Sequence, residues 1–268
     1  MLRDVLTSLP GVATWPCDEI NYIWRHGNVR YSSDEFTSEM ARPELREYIN
    51  RQFDWVARRY GANKVVEKTC ANALRVGFVN RAVPGAKYIF IRRNGLDSVG
   101  SAIKRWKAEM DILYLVRKAR FVPVTDMPYY ASRFLWNRLY RLLSREKRLS
   151  YWGPKLDGME KLLESYSLEE VCAIQWKRCM ERSFADFSGI SPDRVIEVGY
   201  EDFVTDPEAE LKRMLDFLDC KVEDSLIKRA IRRVFTASIG KGRSELGEEK
   251  IQRILLLIAS TQEKLGYA

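Results

Sequence analysis

The run Tyr88-Ile89-Phe90-Ile91 is apolar at every position and too short for a helix. A strand that is apolar on both faces must be covered on both faces. That is the environment of a parallel sheet sandwiched between helices. Short extended stretches are also read at Val12 to Cys17, Lys64 to Glu67 and Val195 to Val198. Helical periods lie between them. Pro43 opens one, followed by Leu45, Ile49, Phe53, Val56 and Tyr60, and Gly61 closes it. Helices are further predicted over 2–9, 71–83, 96–106, 167–187, 207–218, 223–235 and 247–265, with a capping-box start at Ser167 to Glu170. Alternating strands and helices predict an α/β fold, a parallel sheet flanked by helices, with ligands at the carboxyl ends of strands.

Residues 107–165 have a different texture. Basic and aromatic residues interleave: Tyr114, Arg117, Lys118, Arg120, Phe121, Tyr129, Tyr130, Arg133, Trp136, Arg138, Tyr140 and Arg141, then Tyr151-Trp152-Gly153-Pro154-Lys155. This reads as an inserted helical lobe outside the sheet, within a single domain spanning 1–268. With 46 % apolar and 31 % charged residues, the chain is neither a disordered tail nor a fibre.

Lys plus Arg number 45 against 37 Asp plus Glu, a formal charge of +8. That excess favours anionic partners: phosphate, sulfate, nucleic acid or acidic lipid. Acidic residues spread among the basic ones argue against a continuous nucleic-acid track. No apolar run approaches the ~20 residues that span a bilayer, and no signal peptide is read. The 5 cysteines include no C-x-x-C pair, which fits reduced thiols in a cytoplasmic compartment. A single histidine, His26, excludes a His–His relay and zinc sites built on two His, and no G-x-S-x-G elbow pairs with it. It reads as a loop residue beside Gly27. No metal-ligand cluster is seen.

Five stretches could carry chemistry. The first is Arg92-Arg93-Asn94-Gly95 running to Ser101, a strand end, a turn and a helix start. Helix N-termini attract anions, and Arg93 would supply a planar charged fork. Ser101 adds a donor, and Arg105 lies one turn on, on the same face. A phosphate clamp and an ordinary capped strand end are equally good readings. The second is Glu67-Lys68-Thr69, where a surface ion pair is the plain alternative. The third is Cys17-Asp18-Glu19, a carboxylate pair at a strand end that could take a substrate proton or simply be solvated. The fourth is Tyr200-Glu201-Asp202-Phe203 with Asp206-Pro207, where the acids could decorate a turn. The fifth is Gly240-Lys241-Gly242-Arg243, whose glycines allow close approach to an anion or make a flexible basic linker.

In order and spacing these stretches resemble the sulfotransferases that use 3′-phosphoadenylyl sulfate (PAPS). Arg93 and Ser101 match the family's strand-end Arg and the Ser eight residues later. Glu67-Lys68-Thr69-Cys70 is similar to its Glu-Lys-Thr-Pro strand end, with Cys in place of Pro. Tyr200 to Phe203 with Asp206-Pro207 is similar to its Tyr-Glu-Asp-Leu and Asp-Pro. Phe217-Leu218, Gly240 to Arg243 (Gly242 standing for Trp) and Leu265-Gly266-Tyr267 also match. Residues 1–25 resemble the tyrosylprotein and carbohydrate sulfotransferase subgroup.

The resemblance implies a P-loop nucleoside-triphosphate-hydrolase-like fold and transfer of a sulfuryl group from PAPS to an acceptor hydroxyl or amine. Glu19, or second to it Asp18, would be the base, and Lys68 a cation at the bridging oxygen. Arg93, Ser101, Arg105, Tyr200, Lys241, Gly242 and Arg243 would hold the nucleotide, with no metal. Aromatic faces and cations in the lobe favour a carbohydrate acceptor. One departure stands out. The family's first strand and its Pro-Arg-Ser-Gly-Thr-Thr loop, which wraps the 5′-phosphosulfate, have no counterpart. Met1-Leu2-Arg3 aligns with the helix just after that loop, so an internal start is expected. An inactive, nucleotide-binding relative and a basic nucleic-acid-binding module are the alternatives. A kinase is disfavoured, because no G-x-x-x-x-G-K-[ST] is present.

Overall fold

The computed structural model describes residues 1–17, 19–108, 118–132, 135 and 152–267. α1 (Leu2–Thr7), β1 (Val12–Ala13) and α2 (Asn21–Arg25) come first. α3 (Pro43–Tyr60), β2 (Lys64–Val65), α4 (Val76–Ala82), β3 (Tyr88–Arg92) and α5 (Gly95–Lys107) come next. Then come α6 (Met159–Ser165), α7 (Leu168–Phe187), β4 (Val195–Gly199), α8 (Tyr200–Thr205) and α9 (Pro207–Phe217). α10 (Asp224–Ala230), α11 (Lys241–Glu245) and α12 (Glu248–Lys264) are the last. The local signals act as expected. α3 starts on Pro43 and stops at Gly61, whose φ of +58° suits a residue without a Cβ. Ser167 Oγ accepts from Glu170 N at 3.4 Å while Glu170 Oε2 accepts from Ser167 N at 2.8 Å, closing the box that begins α7.

All strand pairing among the described residues is parallel. β1 pairs with β2 over two residues, and β3 with β4 over five, from Tyr88↔Val195 to Arg92↔Gly199. The strands form two separate pairs, not the single sheet expected. β2 and β3 each keep one edge without a strand partner among the described residues. Val65 of β2 and Tyr88 to Ile91 of β3 line one cavity of about 480 Å³. The sheet is split because no described strand lies between those edges.

Two further differences have a local cause. The helix expected over 71–83 breaks into a 3-10 turn, Cys70–Leu74, and α4, with Arg75 between. Arg75 is fully buried, and its guanidinium reaches Asn21 Oδ1 at 2.6 Å, Asn72 Oδ1 at 2.9 Å and Asp34 Oδ1 at 3.4 Å. A buried cation must meet such partners, and turning the backbone at Arg75 aims it at them. The helix expected over 223–235 stops at Ala230 and tightens into a 3-10 turn, Ile231–Arg233.

Residues 152–165 are not an outlying lobe. Leu156 and Met159 are fully buried in the core that also holds Phe90, Val99, Trp106, Val171 and Ile254. Asp34 N donates to Lys155 O at 2.7 Å, and Lys155 N donates to Asp34 Oδ2 at 2.9 Å, stitching the segment to the body. Trp176 is buried in the same core, as its place in an amphipathic helix predicts. No described helix is long and apolar enough to cross a membrane.

Leu156→Ala should therefore cost about 2–5 kcal/mol in urea unfolding. A loss below about 1 kcal/mol would show that 152–165 lies outside the cooperative core.

Candidate active site

Arg92 and Arg93 leave β3 at its carboxyl end and do different work. Arg92 Nη1 donates to Leu265 O at 2.7 Å, and its guanidinium lies 5.7 Å from the Tyr267 ring centroid. It ties down the end of α12. Arg93 lies over the Tyr200 ring at 4.2 Å and donates from Nη2 to Ser238 O at 2.7 Å. Its Nε is buried and has no hydrogen-bond partner among the described residues. The turn between β3 and α5 is pinned from afar. Asn94 Oδ1 caps the helix by accepting from Leu96 N at 3.0 Å. Glu201 Oε1 accepts from Asn94 N at 3.0 Å, and Glu201 Oε2 accepts from Tyr267 Oη at 2.7 Å. Gln262 Oε1 accepts from Gly95 N at 2.9 Å. Glu201 is thus a structural member of the site, a role that the Tyr-Glu-Asp spelling alone did not specify.

The late basic stretch is not a flexible linker. Lys241 begins α11, which packs on α5, and Lys104 Nζ meets Glu245 Oε1 at 2.7 Å. Lys241 and Arg243 are exposed there, as are Ser101 and Arg105 on α5. Tyr200 Oη hydrogen-bonds Ser238 Oγ. Gly242 differs from expectation. Its N–H donates to Asp97 Oδ1 at 2.7 Å, and a Cβ there would lie 2.3 Å from Leu96 O and 2.4 Å from Asp97 Cα. It is buried against α5, so its requirement for glycine comes from helix packing and not from approach to a ligand.

A second cluster sits where β2 ends. Lys68 Nζ donates to Glu19 Oε1 at 2.9 Å, and Cys70 N donates to the same oxygen at 3.3 Å. Burial works to raise the Glu19 carboxyl, but the Lys68 ammonium and these hydrogen bonds hold it below its ordinary value. Burial works to lower Lys68, and Cys70 and Glu19 outweigh it, so Lys68 stays charged. Burial and the Glu19 carboxylate push the Cys70 thiol up to about 11, which makes it a poor nucleophile. Asp18 lies outside the described residues.

Sequence reasoning gave Glu67 no role of its own. Its carboxylate accepts from Thr69 Oγ1 and, at 2.8 Å, from Asn72 Nδ2. Thr69 Oγ1 also accepts from Ile20 N at 3.3 Å, which anchors the turn that carries Glu19. Burial, only partly offset by the Thr69 hydrogen bond, pushes Glu67 up to about 7. Carboxyls of that kind concentrate in functional clefts. Glu67, Lys68, Thr69 and Cys70 line one side of the cavity between the strand pairs, and Ser98 and Ala102 of α5 line another. The cavity is thus bounded by the Glu67–Cys70 cluster and by the flank of α5, and the Arg93 cluster does not line it.

Of the basic-aromatic lobe, Tyr114, Arg117, Arg133, Trp136, Arg138, Tyr140, Arg141 and Tyr151 lie outside the described residues. The aromatic residues that are described serve docking. Tyr130 packs edge-on against Tyr22, with centroids 4.9 Å apart, and Phe121 against Trp55 at 6.2 Å. His26 is not a bare loop residue: its Nδ1 lies 2.8 Å from Asp126 Oδ2.

Comparison with known proteins gives a partial family match and a likeness of fold. A family model described as the Sulfotransferase family matches residues 138–224, less than half of the chain. No curated protein matches the chain. In fold it is similar to the sulfotransferase domain from the curacin biosynthetic pathway, with a TM-score of 0.55 at 13 % identity over 100 % of this chain and 93 % of that one. It is similar in the same way to the sulfotransferase domain from the Synechococcus PCC 7002 olefin synthase, with a TM-score of 0.54 at 14 % identity over 100 % and 90 %. At such identity the likeness is one of fold. The mixed α/β architecture with parallel strand pairs is that of sulfotransferase domains.

Two outcomes test the site's construction. Gly242→Ala should destabilise the chain by about 1–3 kcal/mol, since the added methyl meets backbone; an unchanged melt would contradict the close packing of α11 on α5. For Glu67, the folded state keeps its proton up to about pH 7, whereas the unfolded carboxyl loses it near the ordinary 4.5. Its contribution to stability is therefore full below the lower value and falls as pH rises through that window. Glu67→Gln should remove this fall, so the variant's melting temperature should gain on wild type between about pH 4.5 and 7.5. Parallel curves would show that Glu67 titrates normally.

Proposed function

We propose that this chain is a sulfotransferase using PAPS as donor and a hydroxyl or amine, on a carbohydrate or glycoconjugate, as acceptor. The observation that carries the reading is Arg93, with its face over Tyr200 and its buried Nε lacking a partner among the described residues, at the start of α5. A guanidinium fork with a donor unmatched among the described residues suits a 3′-phosphate, which side chains would meet because the first amides of α5 are already taken. Lys241 and Arg243 on α11, and Ser101 and Arg105 on α5, would surround that phosphate.

In the reaction the acceptor oxygen or nitrogen attacks sulfur. The bond from sulfur to the bridging oxygen breaks, and adenosine 3′,5′-bisphosphate leaves with the electron pair. The acceptor proton goes to Glu19. Paired with Lys68 at 2.9 Å, Glu19 is a weak base. A sulfuryl group that drew Lys68 to itself would free Glu19 and raise its basicity, coupling base to charge stabilisation. The resemblance implies a further strand and loop for the 5′-phosphosulfate. The edges of β2 and β3 that lack a strand partner among the described residues, and the largely apolar cavity between them, support a place for it there.

The Glu19 turn supports the tyrosylprotein and carbohydrate subgroup. The basic and aromatic composition of 107–165, with Trp152 at the cavity wall, supports a carbohydrate acceptor. A cytoplasmic site of action fits five free cysteines. A second reading, nucleotide binding without transfer, is favoured by the commitment of Lys68 to Glu19.

A thermal melt with adenosine 3′,5′-bisphosphate tests the donor site. At about 100 times its Kd the ligand should add ~2.7 kcal/mol to the folded state, and Arg93→Ala should abolish the shift. A folded chain that shows no shift would defeat the reading. Binding with no transfer from PAPS to any glycan acceptor would leave the second reading in its place.

A further inference from the structure

We infer that Asp97 is a positioning residue: its buried carboxylate holds the Gly240-Lys241-Gly242-Arg243 stretch on α5 and so fixes Lys241 and Arg243 beside Arg93. The inference rests on the donor-site reading above. Asp97 is only 3 % exposed, and both of its oxygens are engaged by backbone. Gly240 N donates to Oδ2 at 2.7 Å and Gly242 N donates to Oδ1 at 2.7 Å. These are charge-assisted bonds, among the stronger hydrogen bonds available to a protein. Asp97 sits in the first turn of α5, but capping of that helix is already done by Asn94 Oδ1. Its carboxylate is therefore directed at a segment more than 140 residues away in sequence.

The surrounding geometry fits that role. Arg93 Nη2 lies 4.0 Å from Asp97 Oδ2 and donates to Ser238 O, so one guanidinium touches both the holder and the held segment. Gly240 takes a φ of +71°, and a Cβ on Gly100 would lie 2.7 Å from Gly242 Cα. The amides that the glycine-basic spelling offers to an anion are thus occupied by an internal one. A ligand phosphate would be met by side chains: Arg93, Lys241 and Arg243. The same carboxylate also places a negative charge next to Arg93. A holding role and a competing role give opposite signs on its removal, so binding data can separate them.

The experiment uses the whole chain, with Asp97→Asn as the variant and adenosine 3′,5′-bisphosphate as the probe. In wild type without ligand, the Gly240 and Gly242 amides should exchange at least about tenfold more slowly than that of Lys241, which meets no such acceptor among the described residues; equal rates overturn the inference whether or not the variant folds. In Asp97→Asn the two amides should exchange about tenfold faster while α7 amides keep their protection, and the Kd should rise about tenfold, as for loss of a charged hydrogen bond. Arg243→Ala should weaken wild type but add little to Asp97→Asn. A looser segment with unchanged or tighter binding would make Asp97 a competitor and overturn the inference, as would full additivity of the two substitutions. A wild type that binds no bisphosphate would defeat the donor-site reading instead, and the exchange rates would still decide whether Asp97 holds the segment.

Discussion

Between Arg92 and Asp97 the chain leaves a strand and enters a helix, and that junction fastens the later helices to the body. Backbone groups at the end of β3 and the start of α5 have no partners within their own elements. Residues distant in sequence fill them: Glu201 accepts from Asn94 N and Gln262 from Gly95 N. The side chains reach back in return, Arg92 to Leu265 O, Arg93 to Ser238 O, and Asp97 to the amides of Gly240 and Gly242. α8, α11 and α12 are thus each hydrogen-bonded to one run of six consecutive residues, with α12 also packed in the core on α7. Arg92 and Arg93 thus take part in how the carboxyl-terminal third is attached.

The second cluster obeys a different electrostatic logic. At the β3–α5 junction, cations meet carbonyls, an aromatic face and a buried carboxylate, and Arg93 Nε has no partner among the described residues. At the end of β2, a carboxylate and an ammonium satisfy each other, with a neutral thiol beside them. Behind that pair, Glu67, Thr69 and Ile20 form a hydrogen-bonded chain that fixes the turn carrying Glu19. A half-buried carboxyl pushed to about 7 lies closer to neutral-pH proton chemistry than the ion-paired Glu19 does. The cavity has Cys70 on one wall and Ser98 of α5 on another.

Much of this is legible in the chain alone. Pro43, Gly61 and the Ser167–Glu170 box act within four residues of themselves, so reading them needs no tertiary context. Tyr88 to Ile91 is legible as a strand from its apolar run, but the expected cover on both faces is incomplete: Phe90 is buried and Ile91 is exposed. Arg93 and Tyr200 are marked by spacing and are in contact. Glu67 and Glu201 fall in marked stretches, but their partners and that of Asp97 are not legible, because an acidic residue in a turn or first helical turn looks the same whether it faces solvent or a distant amide. Gly242 misleads for a related reason. A glycine beside basic residues suits both an anion and a close-packed helix, and only the approach of Leu96 O chooses between them.

Residue order alone settles most of the helices, the parallel sense of the strands and the identity of the cations at the strand ends, though not the breaks at Arg75 and Ala230. These depend on periodicity, caps and turn chemistry, which act over a few residues. Tertiary structure alone decided that the strands form two pairs, that 152–165 belongs to the core, and which carboxylate meets which donor. Those outcomes depend on pairings between residues 41 to 173 positions apart, such as Asp34 with Arg75 and Arg92 with Leu265. Such pairings are selected by packing and by the cost of burying an unpaired charge, and neither is written in any local stretch of the chain.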